Sequence, residues 1–239
     1  MKPTDFTLKP SLLAMLAAAT LLTACGDDDN DTVDETPPAP VMQTFTVTVT
    51  NLTANQPMSP VILAAHASDA MLWNAGEMAS EAIEKMAEGG DTADIAALDV
   101  LTSSVNGAGL LMPGASETLT LTLDETDVAS ISLATMLVNT NDAFTGINSY
   151  SIAGMQVDAS SSMKFMAYDA GTEANSEAKG TLPGPADGGE GFNATRDDVD
   201  FVHIHPGVMS MYDGLADSVL DASHRFDNPV MAVTITRTE

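Results

Sequence analysis

The chain has 239 residues, 44% of them hydrophobic, and sets eight basic residues against 34 acidic ones for a formal net charge of −26. That balance excludes nucleic acid as a partner, because binding a phosphate backbone requires a basic patch. A single cysteine excludes an intramolecular disulfide.

The first element in chain order is an export signal. Lys2 and Lys9 precede the apolar run from Ser11 to Leu22, which is too short to span a bilayer and has the basic-then-apolar layout of a signal peptide. The run closes on Leu22-Thr23-Ala24-Cys25, which resembles a bacterial lipobox, with small residues before the only thiol of the chain. Residues 1–24 are therefore expected to be removed and Cys25 to carry lipid. That places the rest of the chain in the cell envelope, anchored to a membrane (the bacterial outer membrane), with its domain outside the cytoplasm. Lipidation of this kind adds more than one acyl chain, and at about 0.8 kcal/mol per buried CH₂ several chains hold far more firmly than one. Residues 26–40, Gly-Asp-Asp-Asp-Asn-Asp-Thr-Val-Asp-Glu-Thr-Pro-Pro-Ala-Pro, combine like charge with a proline-rich end and read as a disordered, solvated tether rather than a specific cation site. The mature chain keeps six basic and 33 acidic residues.

Residues 41–239 are long enough and apolar enough for one sizeable core. Gln43-Thr-Phe-Thr-Val-Thr-Val-Thr-Asn51 and Glu117-Thr-Leu-Thr-Leu-Thr-Leu123 alternate apolar residues with threonine, the period of a half-buried strand. Residues 61–65, 128–138, 163–168, 199–205 and 230–236 are further strand candidates separated by Gly, Pro, Asn and Asp turns, a number that suits a sandwich. Residues 77–88 put Met78, Ala82, Ile83 and Met86 on one helical face, with Gly89-Gly90 as the stop and the helix's glutamates on an acidic outer face. Residues 91–101 read as a second short helix. The many methionines suit adaptable core filling. Trp73 falls in a loop, either as a contact residue or as part of the core.

Four segments together, Asn51-Leu-Thr with Gln56-Pro-Met-Ser-Pro60, Asn141-Asp-Ala-Phe-Thr-Gly146, Tyr168-Asp-Ala-Gly-Thr-Glu173 and Asn228-Pro-Val-Met-Ala-Val-Thr-Ile235, resemble a spondin-type (spondin N-terminal) domain over about residues 45–237. The resemblance implies an antiparallel β-sandwich related to calcium-dependent membrane-targeting modules, here with a short helical insert. It also implies a bound metal ion, a role in matrix or cell-surface adhesion through a ligand the sequence does not identify, and no catalysis. The chain lacks the thrombospondin repeats and cysteines of the animal members, so their partners do not carry over.

Asp142, Asp169 and Glu173 occupy the matched ligand positions. Their chemistry suits calcium, a hard cation that takes six to eight oxygens. Asp142 is expected at the end of a strand entering a loop that contains Gly146, and Gly171 lets the chain bend between Asp169 and Glu173. The alternative leaves all three as ordinary turn and loop carboxylates. Histidines offer a rival centre: His203 and His205 share one face of a strand, and with His66 would form a zinc or copper site. Signatures of other enzyme classes are missing, with no Gly-x-Ser-x-Gly elbow and no glycine-rich phosphate loop.

Overall fold

The computed structural model describes residues 39–239. The signal segment, Cys25 and most of the tether therefore lie outside the described residues.

The alternating threonine segments form strands, as their period dictates. Strand β1 (Met42–Asn51) buries Phe45, Val47 and Val49 and turns its threonines outward. Strand β4 (Ser116–Asp124) does the same with Leu119, Leu121 and Leu123. With β10 (Met231–Arg237) and β7 (Ser160–Phe165) they make an antiparallel four-stranded sheet in the order β4-β1-β10-β7. Its outer face is a ladder of cross-strand hydroxyl pairs, including Thr48 with Thr118 at 2.8 Å and Ser162 with Thr234 at 2.8 Å.

The second sheet has six strands in the order β3-β2-β5-β6-β8-β9, formed by β2 (Ile62–His66), β3 (Leu101–Asn106), β5 (Ser130–Met136), β6 (Ala143–Ser151), β8 (Ala167–Asp169) and β9 (His203–Ile204). Every residue of β2 and β5 is buried, because both faces of this sheet are covered. Leu63, Ala65, Ile131 and Leu133 face the first sheet with Phe45, Val47 and Leu121. Ile62, Ala134, Met136 and Phe144 face the other way, against Ile83, Met86 and Ala87 of helix α1 (Glu81–Gly89). The fold is a mostly β, antiparallel sandwich with a helical layer on one sheet.

Helix α1 starts later than its periodicity suggests. Ser80 is the N-cap and accepts from the Ile83 amide, so Met78 lies ahead of the helix and is exposed. Gly90 ends it at φ +69°, sending its amide back to the last carbonyls. The second helix is only α2 (Ala93–Ala96), and Leu101 begins strand β3 instead. The expected strand over 199–205 is short, pairing only at His203 and Ile204. Trp73 is part of the core, edge-on to Phe144 at 5.2 Å and to Tyr168 at 5.9 Å.

The acidic outer face expected for α1 is not what forms. Glu81 faces solvent and pairs with Lys85 at 2.8 Å, but Glu84 and Glu88 are buried. Glu84 is balanced by Arg196 at 2.5 Å, whereas Glu88 has no ion-pair partner among the described residues.

Gly90 gives a direct test of the helix stop. A Cβ there would meet the Ser59 Cβ at 2.7 Å in a left-handed backbone, whereas one at Gly76, also at positive φ, meets nothing within 4 Å. The left-handed conformation alone costs an L-residue about 1–2 kcal/mol. Gly76→Ala should lower the midpoint of thermal unfolding by a few degrees and Gly90→Ala by clearly more. Equal shifts, followed by circular dichroism, would contradict this account.

Candidate metal centre

Strand register assembles the site. Ala143 pairs with Asp169 across β6 and β8, and Asp169 pairs with His203 across β8 and β9. The residue entering β6 is Asp142, so three adjacent strands bring Asp142, Asp169 and His203 to one end of the sheet. Gly146, placed in a loop by the sequence reading, lies inside β6, and an added Cβ there would run into the Leu133 carbonyl.

Beyond Asp169 the chain makes a tight turn. The Asp169 Oδ1 accepts from the Gly171 amide at 2.8 Å, and Gly171 itself sits at φ +70° with no room for a Cβ beside the Phe201 carbonyl. The turn aims the Thr172 and Glu173 amides at Asp142, whose Oδ2 accepts them at 2.8 and 3.1 Å and takes the Thr172 hydroxyl at 3.2 Å. The other oxygen of Asp142, Oδ1, is buried and has no hydrogen-bond partner among the described residues.

Asp142 and Asp169 are both fully buried. Burial, then the neighbouring Asp169 charge, pushes the Asp142 carboxyl up to about 8, outweighing the three hydrogen bonds that favour its ionised form. Glu173 is half-buried and is likewise raised to about 8, by burial first and then by Glu88, Asp142, Asp197 and Glu190. The carboxylates are thus linked electrostatically in a row, Asp169 acting on Asp142, and Asp142 and Glu88 on Glu173. No lysine or arginine pairs with Asp142, Asp169 or Glu173 among the described residues.

The histidines divide. His66 is a buried core residue, held by Ser132 Oγ at 2.8 Å and the Ala67 carbonyl at 2.7 Å, and does not join the others. His203 and His205 flank Asp169, the first with Nδ1 3.5 Å from Oδ1, the second with Nε2 3.9 Å from Oδ2. His205 is spoken for: Nε2 meets Asn175 Oδ1 at 3.0 Å and Nδ1 accepts from the Gly207 amide at 2.9 Å. Burial lowers its pKa to about 4, so it stays neutral. The Nδ1 of His203 is buried without a hydrogen-bond partner among the described residues.

Among the described residues, one trio of metal-ligating side chains has donor atoms all within 4.8 Å of one another: Asp169, Asp198 and His203. Of the three expected carboxylate ligands only Asp169 belongs to it, with Asp142 and Glu173 standing beside it along the row. Asp198 escaped the sequence reading because nothing local distinguishes it from Asp197 and Asp200. The carboxylate and histidine centres, read as separate, meet at Asp169.

The Spondin_N family model matches residues 51–179. The chain belongs to the spondin N-terminal family. No curated protein matches it. The matched span holds Asp142, Asp169 and Glu173 and ends before Asp198 and His203, so the trio mixes family positions with residues of the following loop. Membership points to an extracellular module of the ligand-binding or adhesion type. Among the described residues no helix is long and apolar enough to cross a membrane.

The raised carboxyls set the response to pH. In the unfolded chain Asp142 and Glu173 are ionised above about pH 5, but folded they hold their protons up to about 8. Raising the pH removes protons that only the folded state retains, so stability falls. His205 acts only on the acid side, between its unfolded value near 6.5 and its folded value of about 4. Chelator-treated protein should therefore melt progressively lower from pH 6.5 to 8, and Asp142→Asn should flatten that slope. A slope unchanged by the substitution would show that the buried carboxyl does not titrate as described.

Proposed function

We propose that the chain is a non-catalytic, membrane-tethered module outside the cytoplasm, in which a calcium ion fixes the loops used for adhesion or for capture of a surface or matrix ligand. The observation that carries this reading is the pair of fully buried carboxylates, Asp142 and Asp169, with one oxygen unpartnered and no lysine or arginine paired with them among the described residues. Two charges so placed are costly unless a cation joins them. The free Oδ1 of Asp142, the carboxylates of Asp169 and Asp198, and backbone carbonyls or water supply the all-oxygen surroundings calcium takes. Calcium would tie the end of β6 to the 170–173 turn and to the 197–204 segment, whose exposed Val199, Phe201 and Ile204 offer contact surface beside the ion.

Zinc or copper is the second reading, favoured by the unpartnered Nδ1 of His203 in the trio. It is the weaker one. With His66 in the core and His205 bonded to Asn175, one imidazole remains, and these metals draw their affinity from nitrogen and sulfur ligands.

A ligand bound only by the folded state stabilises it by about 2.7 kcal/mol at a hundredfold excess over Kd. For a domain of this size that raises the melting midpoint by roughly 5 to 10 °C. Calcium should produce such a shift, magnesium a much smaller one, and Asp142→Asn combined with Asp169→Asn almost none. His203→Ala should retain most of the calcium shift. Its complete loss there, together with a strong zinc shift in the parent, would favour the second reading.

The tether is tested separately. Cys25→Ser should release the chain from membranes and abolish incorporation of labelled palmitate; a variant that stays bound and labelled would remove the lipid anchor from this proposal.

A further inference from the structure

Strands β6 and β8 and the segment before α1 frame a cavity of about 300 Å³ on the helix-layer side of the six-stranded sheet, and the lining side chains that carry chemistry are Met71, Trp73, Asn74, Asn148, Phe165 and Tyr168. Phe144, fully buried, lies behind both large rings, stacked on Tyr168 at 5.5 Å and edge-on to Trp73 at 5.2 Å. Trp73 and Tyr168 meet at 64° with centroids 5.9 Å apart, so together they make a corner rather than a flat plate. An added Cβ at Gly146 would stand 3.0 Å from the Trp73 ring, so the glycine is what lets that ring settle against β6. Asn148 fixes the backbone beside it: its Oδ1 accepts from the Leu72 amide at 2.9 Å and its Nδ2 donates to the Trp73 carbonyl. Phe165, half-buried at the end of β7, completes the aromatic lining, and Met71 is exposed at the rim.

The chain carries 34 acidic and eight basic residues, yet no charged side chain lines this cavity. Glu77 approaches from outside: it is exposed, and its Oε2 accepts from the Asn74 side-chain amide at 3.0 Å. An anion would find no basic group there, and the field of so acidic a chain gathers cations instead. A bare divalent ion needs a shell of oxygens, which rings and a thioether do not supply. An organic cation has other needs. Its charge is spread over alkyl groups, holds water weakly, and is attracted to the faces of aromatic rings, indole above all. The Met71 thioether adds a polarizable, adaptable contact, and the Asn74 carboxamide offers a polar one for a hydroxyl on the same ligand.

We infer that this cavity is a binding site for a small quaternary ammonium group, of which the trimethylammonium of choline is the simplest example. The Trp73–Tyr168 corner and Phe165 hold its methyl groups, and Glu77, one hydrogen bond from the cavity, balances its charge. The site is separate from the Asp142–Asp169 centre and does not rest on calcium. Tyr168 precedes Asp169 on β8, and successive side chains of a strand leave by opposite faces.

Trp73 is the only tryptophan of the chain, so its emission reports on the cavity directly. The full chain is titrated with choline chloride and with tetramethylammonium chloride, against sodium chloride at matched ionic strength. Both quaternary ions should give a saturable change and sodium none. The uncharged carbon isostere of choline, in which a tert-butyl group replaces trimethylammonium, should bind at least tenfold more weakly. Tyr168→Leu should abolish saturation. Glu77→Gln, at an exposed position that does not threaten folding, should weaken choline several-fold and leave the isostere unaffected. Phosphatidylcholine vesicles that compete with choline would name a lipid headgroup as the source of this chemistry, and choline binding without such competition a free amine; either result upholds the site. Three results would overturn it: no saturable change with either quaternary ion, an isostere that binds as tightly as choline, or a choline affinity unchanged in both Tyr168→Leu and Glu77→Gln.

Discussion

Two carboxylates buried side by side govern this molecule. Asp142 and Asp169 stand at the same end of neighbouring strands because the β6–β8 register places Ala143 opposite Asp169. Neither can be moved to solvent without breaking the sheet. One oxygen of Asp142 is already used by the amides of Thr172 and Glu173, which builds the 170–173 turn onto the strand end. Those amides soften the electrostatic problem without removing it, as the elevated Asp142 carboxyl shows. The pair must therefore either hold a proton or share a cation, and which of the two occurs decides how firmly the surrounding loops are tied down.

The sheets were legible in the sequence wherever one face is wet. β1 and β4 alternate strictly because their threonines face solvent and their Phe, Val and Leu face the other sheet. Strands covered on both faces lose that signal. The sequence places Gly146 in a loop after Asp142, whereas Ala143–Ser151 is a strand whose apolar run is interrupted by Thr145, Gly146 and Asn148. Each has a packing or bonding reason: Thr145 donates to the Met166 carbonyl at 2.8 Å, Gly146 admits the neighbouring strand, and Asn148 binds Leu72 and Trp73 backbone. Residues 91–101 failed in the opposite direction, their helical spacing ending after one turn where β3 joins the sheet.

The site was legible in part, for a related reason. Asp169 and Glu173 share a local turn whose glycine is visible in the sequence, and His203 and His205 share a strand face. Their convergence is a matter of long-range pairing, β8 with β9, which no local pattern encodes. Hence two centres were expected where the fold makes one cluster, and His66 was added to a group from which Ser132 and the core exclude it. The glutamates of α1 misled similarly. Helical spacing alone cannot tell which stripe faces inward when the buried face carries charges that find partners only in a loop more than a hundred residues away.

That loop, 191–200, is where the acidic row is resolved. Asn193 donates to Glu88, Arg196 neutralises Glu84, Asp197 reaches the turn after Thr172, Asp198 joins Asp169 and His203, and Asp200 steadies Arg196. It brings one cation and several more anions to a region already rich in carboxylate, so by electrostatics alone it would be pushed away. Its hydrogen bonds and the Arg196 pairs hold its two ends, but nothing in its own composition offsets the repulsion between Asp197, Asp198 and the row beneath. Divalent ions would do so directly, by converting that repulsion into shared ligation. Were ions bound there as proposed, their binding and the ordering of the 191–200 loop would be one equilibrium. The exposed apolar residues at and just beyond its end, Val199 and Phe201, would then offer a contact surface in the bound state. If a cation binds as proposed, the contact surface beside it would answer to the free concentration of that cation.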